Sequence, residues 1–171
     1  EMNTRQFIAG LPSNNVLLTG SKGTGKSSLV KALLNKYAKK DLRLIEVDKA
    51  HLHQLPQIID LVSEDPYRFI IFCDDLSFGS DDDGYKTLKV ALDGSVATTS
   101  ENILIYATSN RRHLLPEYMS ENLESTYKGE EIHAGENVEE KISLSERFGV
   151  WVHFDGFTQE EYIKIASYWV K

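Results

Sequence analysis

An open parallel α/β sheet is the fold class this sequence predicts, and three observations predict it. Apolar runs of strand length occur at Val16-Leu17-Leu18, Leu42–Val47, Phe69–Cys73, Asn102–Ala107 and Val150–Phe154. The Phe69–Cys73 run is uninterrupted, as in a strand covered on both faces. Helical patterns stand between these runs, the alternation that produces parallel pairing. Polar residues then collect directly after the strands, at Gly20–Ser27, Asp48, Asp74-Asp75 and Thr108–Asn110. That is the edge where open α/β sheets hold their ligands.

Taken in order, Asn3 to Asn15 is a lead-in segment that closes in turn chemistry at Gly10-Leu11-Pro12-Ser13-Asn14-Asn15. The first strand runs into Gly20-Ser21-Lys22-Gly23-Thr24-Gly25-Lys26-Ser27, which fits the pattern G-x-x-x-x-G-K-[ST]. Glycines there let backbone N–H groups close on phosphate oxygens, Lys26 reaches the outer phosphates, and the Ser27 hydroxyl ligates Mg²⁺. The next helix turns its N-terminus, with unpaired N–H groups and positive dipole, to the same anion. Leu29, Leu33, Leu34 and Tyr37 recur at helical spacing and predict its buried face, opposite Lys31, Lys36, Lys39 and Lys40.

After the second strand, Lys49 to Val62 is helical but interrupted by Pro56, so it reads either as two short pieces or as a helix starting at Pro56. His51 and His53 lack further ligands nearby and read as surface histidines. The third strand ends in Asp74-Asp75. In a phosphate-loop protein an acid at this place holds Mg²⁺ beside the loop hydroxyl, and a second one orients and deprotonates an attacking water. Asp81-Asp82-Asp83 lacks the alternating ligands of a calcium loop and reads as an acidic loop. Tyr85 to Leu92 is an amphipathic helix with Leu88, Ala91 and Leu92 inward. The fourth strand is followed by Asn110, Arg111 and Arg112. Leu123 to Glu140 is an exposed insertion, Lys141–Gly149 a short helix, and Phe157 to Trp169 a closing helix capped by Thr158 with Glu161 three residues on.

Composition bounds the function. The chain has 171 residues, 41% hydrophobic and 26% charged, which suits one domain with a sizeable core. Its single cysteine, Cys73, excludes an internal disulfide and suits a cytoplasmic protein. No apolar window is long enough to span a membrane. A formal charge of −7 argues against unaided nucleic-acid binding by the surface as a whole. The start at Glu1-Met2 and the end inside a helical pattern read as the cut ends of a longer protein.

Gly20–Ser27, the Phe69–Asp75 strand, the Asn110 turn and Ser145-Glu146-Arg147-Phe148 together resemble the AAA+ division of P-loop ATPases. With the wording of Leu104 to Glu121, the chain closely resembles an uncharacterised bacterial family of AAA+ ATPases. The resemblance spans Asn3 to Lys171. It implies a three-layer α/β/α P-loop NTPase core with a five-stranded parallel sheet in the order 5-1-4-3-2. Residues 1-157 would form that core, with the insertion at about 123-140, and residues 158-171 would begin a helical lid. Gly20, Ser21, Lys22, Gly23, Thr24, Gly25, Lys26, Ser27 and Ser28 would bind ATP or ADP. Lys26 would contact the β- and γ-phosphates, Ser27 and Asp74 would organise Mg²⁺, and Asn110 would place the attacking water. Arg147 would act in trans as an arginine finger, which implies a homo-oligomer and a chain that hydrolyses poorly alone.

One departure is that Asp75 stands where most AAA+ proteins carry glutamate; replication initiators and helicase loaders share Asp-Asp. The expected function is therefore ATP hydrolysis coupled to oligomerisation or to remodelling of a protein partner. The alternatives are a nucleotide-operated loader or adaptor switch with little turnover, and a P-loop small-molecule kinase. A GTPase is disfavoured because no N-K-x-D-like string occurs.

Overall fold

The structure is a computed structural model and describes residues 1–78, 84–93, 101–110, 114 and 144–170, with Trp169 as backbone only. Five strands, β1 (Val16–Gly20), β2 (Leu42–Glu46), β3 (Arg68–Cys73), β4 (Ile103–Ser109) and β5 (Val150–Phe154), form one sheet in the order β2-β3-β4-β1-β5. Every pairing is parallel. This is the expected 5-1-4-3-2 order, with β4 inserted between β3 and β1.

Period-two alternation along buried strands sorts the core into two layers. Val16, Leu18, Ile70, Phe72, Leu104 and Tyr106 face helices α1 (Met2–Ile8) and α2 (Lys26–Tyr37), where Phe7, Val30, Leu33 and Tyr37 are buried. Leu17, Ile71, Cys73, Ile105 and Ala107 point the other way, onto α3 (Leu55–Val62) and α4 (Gly84–Leu92) through Leu55, Ile59, Leu88 and Ala91. Helices thus cover both faces, as expected.

Local chemistry explains most boundaries. The Lys49–Val62 stretch resolves into two pieces, a 3-10 helix at Lys49–Gln54 and α3, with Pro56 in the first turn of α3 where its missing N–H costs nothing. The closing helix α5 (Gln159–Trp169) begins in a capping box. The Glu161 N–H donates to Thr158 Oγ1 at 3.3 Å, and the Thr158 N–H donates to Glu161 Oε2 at 2.9 Å.

Two expectations need correction. The lead-in contains α1, a seven-residue helix that buries Thr4 and Phe7. It is too short to show a helical repeat in sequence. The buried face of α2 is Val30, Leu33 and Tyr37, with Leu34 half-buried and Leu29 turned outward, so the true stripe is displaced by one residue at its start. On α5 the closing helix is present as expected, and its Tyr162, Ile163, Ile165 and Tyr168 are exposed and do not join the described core. Among the described residues, no helix is long and apolar enough to cross a membrane.

Candidate functional site

The site is built at the C-terminal edge of the sheet from the ends of three neighbouring strands. β1 leads into the loop through Gly20, whose φ is +128°. A Cβ there would lie 2.0 Å from the Phe154 carbonyl oxygen, so only glycine lets β5 pass alongside. Gly25, at φ +92°, is the N-cap of α2, and no side chain caps that helix. The first-turn N–H groups of α2 are therefore left for an external acceptor.

Lys26 is buried. Its ammonium donates to the Gly20 carbonyl at 2.7 Å, the Ser21 carbonyl at 2.8 Å and Asn110 Oδ1 at 3.0 Å. Burial holds its pKa below the ordinary lysine range, while the Asp75 and Asp74 carboxylates oppose that by favouring the charged form. Thr24 closes the loop internally by donating to the Ser21 carbonyl at 2.8 Å.

Parallel register brings the other strands' polar ends to this loop. Cys73 lies opposite Ala107, and Thr19 opposite Ser109, so the residues after each follow side by side. Ser27 Oγ donates to Asp74 Oδ1 at 2.6 Å. Asn110 Nδ2 donates to Asp75 Oδ1 at 2.6 Å, so Asn110 bridges Asp75 and Lys26. Asp75 sits at φ +51°, a left-handed conformation that aspartate and asparagine tolerate better than other side chains. These groups and Lys22, Gly23 and Ser28 line a cleft of about 310 Å³.

Five of the expected residues, Lys26, Ser27, Asp74, Asp75 and Asn110, thus converge in one hydrogen-bonded cluster. Thr108, expected only as a polar residue at a strand end, joins them. Its hydroxyl donates to Asp74 Oδ1 at 2.5 Å and accepts the Asp75 N–H at 2.8 Å. In the sequence it is one more small polar residue ending an apolar run, and only strand order reveals its neighbours.

Arg147 does not join the cluster. It lines a separate cleft with Asn14, Asn15, Ile103 and Gly149, at the N-terminal edge of the sheet. The seven residues of β4 separate the two edges by about 20 Å. Its guanidinium forms an ion pair with Asp93, just after α4. His51 and His53 are exposed, and among the described residues no group of three or more His, Cys, Asp or Glu side chains is arranged to hold a metal. Arg111, Arg112, Asp81 to Asp83 and the 123-140 insertion lie outside the described residues.

The donor set suits a magnesium nucleotide. A buried ammonium and an uncapped helix N-terminus face one cleft, and beside them a hydroxyl and a carboxylate offer the hard oxygens that Mg²⁺ prefers.

One protein family, described as "Protein of unknown function (DUF815)", matches residues 1–171. No curated protein matches the sequence. Among solved structures, the chain is similar to the Thermotoga maritima RuvB Holliday junction branch migration motor, with TM-score 0.52, 14% identity, and 95% of this chain and 44% of that chain covered. It is also similar to AMPPCP-bound DnaA from Aquifex aeolicus, with TM-score 0.57, 17% identity and coverages of 99% and 49%. For DnaI the values are 0.52, 19%, 91% and 80%. The chain thus spans about half the length of the RuvB and DnaA structures it matches. At these identities the likeness is one of fold, that of the AAA+ P-loop ATPases.

Proposed function

The chain belongs to the DUF815 family, and from its fold and site we propose that it is a nucleotide-binding AAA+ domain and an Mg²⁺-dependent ATPase that works through nucleotide-dependent oligomerisation or partner remodelling. The observation that carries the reading is the convergence of Lys26, Ser27, Asp74, Asp75 and Asn110 from three strand ends into one cluster. A phosphate loop alone serves many chemistries. A second carboxylate held by a polar bridge to the loop lysine suits attack by water.

In this reading the α2 N-terminus and Lys26 receive the β- and γ-phosphates and take up the charge that develops as the bond between them breaks. Ser27 and Asp74 would hold Mg²⁺, which would neutralise phosphate charge there. Asp75 accepts the proton of the attacking water, and Asn110 orients that water from its place between Asp75 and Lys26. Arg147 serves the site of a neighbouring copy. Its position at the opposite edge from its own Lys26 supports a trans role, and with Arg147 held by Asp93 an isolated chain is expected to turn over slowly. That pairing also favours a second reading, a nucleotide-operated switch that captures a partner with little hydrolysis. In both readings residues 1-157 serve as the nucleotide core and residues 158-171 belong to a lid.

The test is nucleotide binding and phosphate release with Mg²⁺ over a range of protein concentrations, against Lys26→Ala. The ATPase reading expects release that Lys26→Ala abolishes. Equal release by both proteins would remove it, and ATP-dependent assembly without release would favour the switch.

A further inference from the structure

We infer that Thr108 is a positioning residue that holds the Asp74 carboxylate and the Asp75 backbone in register through one hydroxyl group. This rests on the ATPase reading above and adds to it a residue outside its set of working groups. Thr108 is buried at the end of β4, the strand between β3 and β1. A backbone N–H can only donate, so the Asp75 amide uses a lone pair of Thr108 Oγ1, at 2.8 Å. The single hydroxyl proton is then left for Asp74 Oδ1, at 2.5 Å. One oxygen therefore fixes the side chain of the metal-holding acid and the backbone of the water-activating acid.

Two further facts give that linkage consequence. Asp74 Oδ1 also accepts from Ser27 Oγ, so the same oxygen that Thr108 orients faces the other metal-holding group. Asp75 sits at φ +51°, and its N–H bond to Thr108, followed by the Leu76 N–H to the Thr108 carbonyl at 2.8 Å, holds the chain in that turn. Partners of this kind around metal ligands typically change metal affinity or activity by 10–100-fold when removed. Valine has the shape of threonine without the hydroxyl, and serine keeps the hydroxyl without the methyl.

The experiment uses Mn²⁺ as a paramagnetic probe of the Mg²⁺ position, titrated by electron paramagnetic resonance into the protein with ADP, alongside ADP affinity without metal and the turnover rate. Thr108→Val is expected to weaken Mn²⁺ binding about tenfold and lower turnover at least as much, with metal-free ADP affinity within about twofold of wild type. Thr108→Ser is expected to stay within about threefold of wild type throughout. Wild-type metal binding and turnover in Thr108→Val would overturn the inference. So would a serine variant that binds Mn²⁺ about tenfold more weakly than wild type, since the loss would then follow the methyl group; this arm is read against wild type and holds even if the valine variant does not fold. A wild-type protein that binds ADP no better than Lys26→Ala would overturn the ATPase reading, and this inference with it.

Discussion

Replacing Asn110 by alanine separates chemistry from binding and from folding. Its side chain makes two bonds, donating to Asp75 Oδ1 at 2.6 Å and accepting from Lys26 Nζ at 3.0 Å. Asn110 is exposed, so water replaces both partners in the folded variant and the stability cost stays near 1 kcal/mol. For a chain of this size that lowers the melting temperature by about 3 °C. Catalysis loses more, because a charge-assisted bond at 2.6 Å sets the direction of the Asp75 carboxylate. Positioned general-base catalysis contributes about 10²–10⁴-fold, so a hundredfold fall in turnover is expected, or about 2.7 kcal/mol in the barrier. Nucleotide affinity should change by less than about threefold, since Lys26 keeps its carbonyl partners and its reach into the cleft. The assay is single-turnover phosphate release with nucleotide occupancy measured by fluorescence in the same sample. Unchanged turnover, or a loss explained wholly by weaker occupancy, would refute the role given to Asn110.

Three further outcomes follow from the structure. Phosphate release should rise faster than linearly with wild-type concentration but linearly in Arg147→Ala, whereas Asp93→Asn, which keeps the arginine and loosens its partner, should retain the steep rise; parallel linear curves for all three would remove the trans role. Gly20→Ala should destabilise the fold by about 3 kcal/mol or more, read as a shift in urea midpoint, because its Cβ would sit 2.0 Å from the Phe154 oxygen at a φ of +128°. Burial pushes the Cys73 thiol up from 9.0 to about 12, so the folded chain keeps a proton that the unfolded chain sheds in this window. Its contribution is full below pH 9 and falls by about 1.4 kcal/mol per unit above it, and Cys73→Ala should flatten that part of the stability curve in urea titrations between pH 8 and 11.

How much was legible in the sequence depended on whether the determining contacts were local. Gly20–Ser27 and Asp74-Asp75 were readable because each is a short string whose neighbours supply the strand and helix it needs. The capping box at Thr158 and Glu161 was readable for the same reason. Thr108 was not, because its partners lie 34 and 33 residues away and meet it only through the insertion of β4 between β3 and β1. The same holds for the Arg147–Asp93 pair, which joins the end of α4 to the lead-in of β5. On α2 the apolar residues Leu29, Val30, Leu33 and Leu34 permit two adjacent stripes, and only packing against Phe7 and β4 selects Val30 over Leu29. Helix α5 shows the converse, a helix legible from its cap whose Tyr162, Ile163, Ile165 and Tyr168 nonetheless stay exposed.

The central claim, that these strand ends form one Mg²⁺-dependent hydrolytic site, is tested most directly by Asp75→Asn. Asparagine keeps the size and tolerates the left-handed backbone at φ +51°, but it cannot take a proton from water. Nucleotide occupancy and phosphate release are measured together at high protein concentration with Mg²⁺. Occupancy equal to wild type with release reduced at least a hundredfold is the predicted result. Equal release by the two proteins at equal occupancy would contradict the account.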